Sequence, residues 1–389
     1  MGFLPDVQIM TSNFNLKLIS DIKIGEKLFS NPSTINEVKY NKQNNYLGDI
    51  FDIKCTGQVF SVKATKEQKF FGVKKEVREN CRKRYGRMVL GVIENNICLI
   101  SVNNLKVGDM LIIPKNRANS AIKSIYTKQF ISSFSNYIKV QIPSKLYLTK
   151  KLSRWFGLYL AEGTVNFTSD KRYIKKCSGV SFAINSNEVE LCRELISSGK
   201  EIFNIIPRIR EIPERHGRRL EYFSTQLGEL MLSLFNTGSS NKKIHPYLMQ
   251  SPQDFKKYLV DAWFEGDGWI DRSINQKGRK IGNTTSFQLA NQLYMILINQ
   301  DKLPGIYLSA HKGQNRKKAR EMGFYLRNPL FGITLPQYKE LCRRKQNNSM
   351  VFTPIKEIKK IFYNGPIYNL KVKDNNTFQC NFYWVLGSE

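Results

Sequence analysis

Two acid–glycine pairs carry the first chemical signal in this sequence. Glu162-Gly163 closes the stretch Trp-Phe-Gly-Leu-Tyr-Leu-Ala-Glu-Gly (155–163), and Asp267-Gly268 closes Val-Asp-Ala-Trp-Phe-Glu-Gly-Asp-Gly (260–268). The two stretches align without gaps, with their acids 105 residues apart. Two carboxylates brought together are hard oxygen ligands suited to Mg²⁺ or Mn²⁺. A metal so held supplies both needs of phosphodiester hydrolysis, a nucleophilic water and a stabilised leaving oxygen. A single helix-end acid before glycine is ordinarily a cap neighbour without a role. Two of them at equivalent places in a repeat point instead to a shared site.

The elements that must position these acids follow from pattern. Each stretch has small residues four apart, Gly157 with Ala161 and Ala262 with Gly266. On a helix these share one face, and small side chains there let two helix backbones approach closely. Each acid then sits at a helix C-terminus, where the macrodipole opposes negative charge, so a compensating cation is required. After Gly163 the pattern predicts a strand at 180–184, a helix over 188–203, strands at 208–212 and 220–223, and a helix over 226–235. After Gly268 the order recurs, with a helix over 286–299, strands at 306–309 and 323–326, and a helix around 337–343. The reading is a duplicated αββαββα unit, with repeat 1 at about 150–245 and repeat 2 at about 252–346.

Outside this middle region, 118–348, the chain reads as strands. Residues 1–117 suggest short strands such as 58–62 and 110–114, and residues 349–389 include the alternating stretch 367–372. Strands at both ends around a mixed centre predict one split all-β domain, 1–117 with 349–389, carrying an inserted α+β domain.

Composition narrows the partner. The 389 residues hold 61 Lys+Arg against 32 Asp+Glu, a net charge of +29 that calls for a polyanion, most often nucleic acid. A hydrophobic content of 41% is enough for real cores and excludes a disordered chain. No apolar run reaches the ~18 residues of a membrane span, and the N-terminus lacks the pattern of a secretory signal. The seven cysteines form no CxxC pair, which argues against a zinc module or a disulfide framework and for a reducing, intracellular setting, nuclear if the host is eukaryotic.

The paired motifs resemble those of the LAGLIDADG homing endonucleases. That resemblance implies two motif helices packed at a pseudo-twofold axis, acids that bind divalent metal, and two four-stranded sheets forming a basic saddle on double-stranded DNA. Carried over, Glu162 and Asp267 are the metal-binding catalytic pair. In the intein-encoded members that this chain resembles, an assisting lysine follows the last helix of each repeat. Lys242 lies 80 residues after Glu162 and Lys345 lies 78 after Asp267, with Lys243 a close rival of Lys242. Base readout is expected from saddle residues such as Arg208, Arg210, Arg219, Tyr307, His311, Arg320 and Arg327. The run Arg82-Lys83-Arg84 is a further candidate DNA contact, or else a solvated charged loop.

The ends resemble the Hint fold of inteins. Residues 18–26, 64–70, 105–109 and the C-terminal 367–388 look like that family's conserved blocks. Protein splicing, as the resemblance implies it, starts from a Cys or Ser nucleophile, and the aligned residue is Phe3. The block histidine is replaced by Gln68, and the terminal His-Asn pair by Leu386-Gly387. With three chemical positions lost, the expectation is a splicing-inactive intein starting at its own Met1, for which the yeast mating-type switching endonuclease is a precedent. The overall expectation is a monomeric, Mg²⁺-dependent, site-specific endonuclease making double-strand breaks. An RNA maturase or a catalytically dead DNA-binding regulator on the same scaffold is the alternative, and the two retained acids count against both.

Overall fold

The computed structural model describes residues 1–117, 122–132, 140–168, 176–272, 278–310, 328–336 and 343–388. Mixed α and β structure runs through it, with eight helices and several antiparallel sheets among these residues. The chain divides into two compact units.

One unit comprises Met1–Ala118, Leu297–Tyr307 and Leu335–Glu389. It therefore includes residues 297–307 and 335–348, which the sequence pattern assigned to the middle region. Its largest feature is an antiparallel ribbon of strands Ile35–Cys55 and Met350–Val372, paired from Val38 opposite Val372 to Cys55 opposite Ile355. The polar run 41–45 has little strand propensity of its own. The ladder to 366–370 overrides that local preference and yields one long strand where short ones were expected. Residues 350–354 continue onto Met110–Pro114, whose five residues are all buried. The stretch expected as a strand at 58–62 is a turn up to Ser61, and the strand is Val62–Thr65. Helices α1 (Lys75–Tyr85) and α2 (Leu90–Glu94) belong to this unit. The basic run Arg82-Lys83-Arg84, expected as a DNA contact or else a solvated loop, is the last turn of α1, where cations favour the helix dipole, and Gly86 ends the helix in the left-handed region (φ 67°).

The other unit comprises Asn119–Ile296 and Leu308–Thr334. Its first half runs α3 (Lys150–Glu162), strands Gly163–Phe167 and Cys177–Asn185, α4 (Val189–Phe203), strands Arg208–Ile212 and Gly217–Tyr222, then α5 (Thr225–Phe235). A short α6 (Pro246–Met249) leads to α7 (Gln253–Gly266), strands Gly268–Ile270 and Lys280–Thr284, α8 (Phe287–Asn299), and strands Gly305–Ala310 and Leu330–Leu335, of which residues 297–299, 305–307 and 335 are counted with the first unit. Each half builds a four-stranded sheet with the same connectivity, first–second–fourth–third. The strand expected at 323–326 and most of the helix expected around 337–343 lie outside the described residues, and the strand at Leu330–Leu335 had no counterpart in the pattern reading. Side-chain caps start the helices as the sequence allows: Thr149 accepts from Leu152 N–H at α3, and Ser224 from Leu227 N–H at α5.

Helices α3 and α7 pack against each other along the small-residue face. A Cβ added to Gly157 would lie 2.2 Å from the Leu259 carbonyl oxygen and 2.8 Å from Ala262 Cβ. One added to Gly266 would lie 2.5 Å from Ala161 Cβ. Backbone cannot give way as a flexible side chain can, so these positions require small residues. Gly157→Val is expected to destabilise the protein by about 3 kcal/mol by forcing the helices apart, read as a lower midpoint in urea at unchanged slope.

Candidate active site at two adjoining helix ends

The close packing of α3 and α7 carries two carboxylates to neighbouring helix C-termini. Glu162 is the last residue of α3, and Asp267 caps α7 with its N–H donating to the Trp263 carbonyl at 2.9 Å. The glycine after each acid is required by the exit of the chain: a Cβ at Gly163 would meet Tyr159 Cδ2 at 2.3 Å, and one at Gly268 the Phe264 carbonyl oxygen at 2.3 Å. The acid–glycine pairing seen in sequence is thus a packing condition as well as a chemical one.

The required cation is Lys242. Only 5% exposed, it donates from Nζ to the carbonyls of Tyr159, Leu160 and Ala161 at 3.0, 2.9 and 3.1 Å. All three ammonium protons are thereby spent on the last turn of α3, where the helix dipole is negative. Its neighbour Lys243 is half-buried and donates its backbone N–H to the Phe235 carbonyl. Its charge, after burial, helps lower the pKa of His245.

Burial governs the electrostatics. It pushes the Glu162 carboxyl up to about 7, helped by the negative charge of Glu188 and opposed by Lys242. Burial likewise raises Asp267 to about 7, reinforced by Glu162, while Lys242 and Trp263 oppose. Burial lowers Lys242 to about 8 against the attraction of both acids. Neither carboxylate forms an ion pair within 4 Å among the described residues. Two acids and one ammonium share a partly dehydrated space, and the acids are under-compensated.

A cleft of about 290 Å³ opens beside them, lined by Ala161, Lys242, Asp267, Trp269, Asn283 and Thr285 among others. Asn283 Oδ1 and Thr285 Oγ1 are buried without a hydrogen-bond partner. These two, with Trp269 and Glu188, escaped the sequence reading. They fall on strands, the bend after one of them and a helix cap, none with an acid–glycine signature, and nothing in their spacing distinguishes them.

Arg154 also escaped it. From α3 its guanidinium takes Glu194 of α4 and Glu265 of α7 in two bidentate pairs, with 2.7 Å to Glu194 Oε2 and 2.9 Å to Glu265 Oε1. Glu265 therefore holds helices together, two residues before Asp267.

Lys345 lies in the other unit. The pair Lys345–Gln346 is a short strand opposite Phe352 and Val351, and the preceding Arg344 donates to the Leu303 carbonyl at 2.6 Å. Those ladder bonds, invisible to a spacing argument, draw the chain after Leu335 into that unit's sheet. Among the described residues, the charges acting on Glu162 are those of Glu188 and Lys242, and those acting on Asp267 are those of Glu162 and Lys242.

The expected nucleic-acid residues divide similarly. Arg208 and Arg210 are exposed on one face of strand Arg208–Ile212, and Arg219 faces Arg210 from the neighbouring strand. Arg219 donates to Asn166 Oδ1 and Ser181 Oγ at 3.2 and 3.1 Å, on the same polar outer face. The opposite face buries Val180, Phe182, Leu220 and Tyr222. Tyr307 is half-buried on Gly305–Ala310, whereas His311, Arg320 and Arg327 lie outside the described residues. Arg82, Lys83 and Arg84 are exposed on α1.

The three positions that the intein resemblance aligned with splicing residues come together. Gln68 Nε2 donates to the Leu386 carbonyl at 2.7 Å, and Gly387 N–H to the Asn376 carbonyl at 2.6 Å. Phe3 is 1% exposed, edge-on to Phe70 and Phe378 at 6.2 and 6.0 Å. Burial pushes the nearby thiols up, Cys55 to about 12 and Cys380 well above its ordinary value, so neither is a ready nucleophile.

No protein-family model matches the chain. An uncharacterized protein of Methanocaldococcus jannaschii is 25% identical over 96% of this chain and 48% of its own length. An iron-sulfur cluster assembly SufBD family protein of Mycobacterium tuberculosis is 21% identical over 97% of this chain and 42% of its own length. A DNA polymerase of Thermococcus litoralis is 24% identical over 61% of this chain and 15% of its own. The chain spans about half the length of the first two. Neighbours among solved structures are LAGLIDADG homing endonucleases and an intein. The homing endonuclease I-DmoI in complex with DNA and Mn is 12% identical, with a TM-score of 0.33 over 48% of this chain and 90% of that one. The gp41-1 intein is 16% identical, with a TM-score of 0.20 over 29% of this chain and 67% of that one. No helix among the described residues is long and apolar enough to cross a membrane.

Proposed function

We propose that this chain is a Mg²⁺-dependent DNA endonuclease that hydrolyses phosphodiester bonds of double-stranded DNA at a specific site, cutting both strands. The observation that carries the reading is the convergence of Glu162 and Asp267 at two packed helix ends, with Lys242 as their cation and a cleft lined by Asp267 and Lys242 beside them.

The donor set fits Mg²⁺ or Mn²⁺. Both acids offer oxygens and lack an ion-pair partner among the described residues, and the orphaned Asn283 Oδ1 and Thr285 Oγ1 line the same cleft as Asp267. No cluster of three or more His, Cys, Asp or Glu occurs among the described residues, so phosphate and water oxygens would complete the coordination. When bound, the ion supplies a polarised water and offsets charge on the leaving oxygen. Glu162 and Asp267 hold it, while Lys242 fixes the end of α3 and offsets part of their mutual repulsion. Arg208, Arg210 and Arg219 give their strands a basic outer face suited to phosphates and base edges. Both motif helices lie in one chain, which supports action as a monomer.

The strand-rich unit we read as a splicing-inactive Hint domain. Phe3 and Gln68 fill with apolar and neutral side chains the places that acyl transfer would need for a nucleophile and a proton donor. Relatives named for iron-sulfur cluster assembly and for DNA polymerisation share stretches of this chain while most of their own length lies elsewhere. That distribution supports descent from an inserted element.

The test is incubation of the purified chain with Mg²⁺ and a plasmid pool carrying its native locus, with double-strand ends mapped by sequencing. Discrete ends that vanish with chelator are expected. Tight DNA binding without cleavage would overturn the nuclease reading.

A further inference from the structure

A second binding surface lies at the opposite end of α3 from Glu162. Strands Ser124–Tyr126 and Lys145–Tyr147 form a two-stranded sheet with Lys145 opposite Tyr126 and Tyr147 opposite Ser124. Ile125 and Leu146 are buried on one face. On the other, Tyr126 and Tyr147 are 49% and 62% exposed, and Lys145 Nζ sits 5.4 and 4.9 Å from their ring centres.

The pattern continues onto the motif helices. Thr149 N–H donates to the Tyr147 carbonyl, which leads directly into α3. There Lys150 Nζ lies 5.0 Å from the ring centre of Tyr258 on α7, and Lys257 Nζ lies 5.9 Å from the same ring. Lys145, Lys150 and Lys257 form no ion pair among the described residues, whereas the adjoining Lys151 is taken by Glu201. Two exposed tyrosines, the half-buried Tyr258 and three lysines without a carboxylate partner among the described residues therefore gather at this end of α3, Lys145 being also hydrogen-bonded to the Tyr126 and Tyr147 hydroxyls, and α3 separates them from Glu162 by about 18 Å.

We infer that this surface binds single-stranded nucleic acid. Exposed rings offer flat faces to bases, and only unpaired bases have faces free to stack on them, since those of a duplex stack on each other. The lysines between the rings offer positive charge to a polyanionic backbone. A duplex would use only the lysines, and a purely electrostatic surface would have no use for the exposed rings. The inference does not rest on the nuclease reading, because it uses none of the residues at the carboxylate cleft.

The test is fluorescence anisotropy of the full chain in chelator, with oligo(dT), oligo(U) and a duplex, each about 20 nucleotides long to exceed one site. Tyr126→Ala/Tyr147→Ala is expected to weaken single-strand binding by at least about tenfold, with duplex affinity unchanged. Tyr126→Phe/Tyr147→Phe, which keeps the rings, is expected to bind as the wild type does. A preference between the dT and U probes identifies the strand as DNA or RNA. Wild-type single-strand affinity in the alanine pair, or an equal loss on duplex, would overturn the inference. Circular dichroism of the alanine pair excludes misfolding as the cause of a loss.

Discussion

Replacing both carboxylates, Glu162→Gln with Asp267→Asn, is expected to lower cleavage at least about a thousandfold while making the protein more stable above pH 7. The loss follows from removing the charged oxygens that would hold the metal. The gain follows from linkage. Burial first, with like charge behind it, raises both acids to about 7, from ordinary values of 4.5 for Glu162 and 3.8 for Asp267. Between the ordinary and raised values the folded state binds more protons than the unfolded one, so stability falls as pH rises through that window. Above pH 7 the ionised pair is a standing cost, which the neutral amides remove. A stabilisation of about 2 kcal/mol at pH 8, shrinking to nothing by about pH 4, is expected in denaturant titrations. Wild-type cleavage should rise through pH 7 as the acids ionise, more steeply than one proton per event because the two interact. An inactive variant with unchanged stability at pH 8 would show that the acids are not the strained pair described here.

Lys242→Met is expected to be the most damaging single substitution at the site. It strips three carbonyls of their donor at the end of α3 and leaves Glu162 and Asp267 without their buried cation. Removing one partner from such a buried charged group costs about 3–5 kcal/mol. With all three ammonium protons on helix carbonyls, the role expected of Lys242 is to hold the end of α3 in place. Lys242→Arg, which keeps the charge but cannot place three protons on one helix turn, is therefore expected to recover stability better than cleavage. Adding Glu162→Gln/Asp267→Asn to Lys242→Met should restore part of the lost stability, because the orphaned charges are gone. Full activity in Lys242→Met at a temperature where the variant is folded would refute the positioning role.

Three positions of the strand-rich unit illustrate how far local sequence reaches. Phe3, Gln68 and Leu386 are separated by hundreds of residues in places, and each read alone is an ordinary apolar or amide residue. Their alignment to family blocks marks them as a set, and the ladder and hydrogen bonds put Gln68 on the Leu386 carbonyl. Lys345 shows the opposite case. Its spacing from Asp267 copies that of Lys242 from Glu162, yet strand pairing with 351–352 places it in the other unit. Spacing along a chain measures contour length, and it says nothing about which neighbour a segment pairs with after its last helix.

Local periodicity and residue size were sufficient for much of this protein. The small residues four apart, the recurring acid–glycine pairs and the order of helices and strands are all consequences of 3.6- and 2-residue periods, which a sequence displays directly. The net charge of +29 likewise needs no coordinates to imply a polyanionic partner. What only the tertiary structure decided depends on contacts between distant segments. It put Lys242 on three helix carbonyls, Arg154 between Glu194 and Glu265, the unpartnered Asn283 and Thr285 beside Asp267, and Lys145 between two exposed tyrosines. Burial and hydrogen-bond geometry, which set the carboxylates near neutrality, arise from the three-dimensional neighbourhood alone, because dehydration of a charge is a property of the space around it and not of its place in the chain.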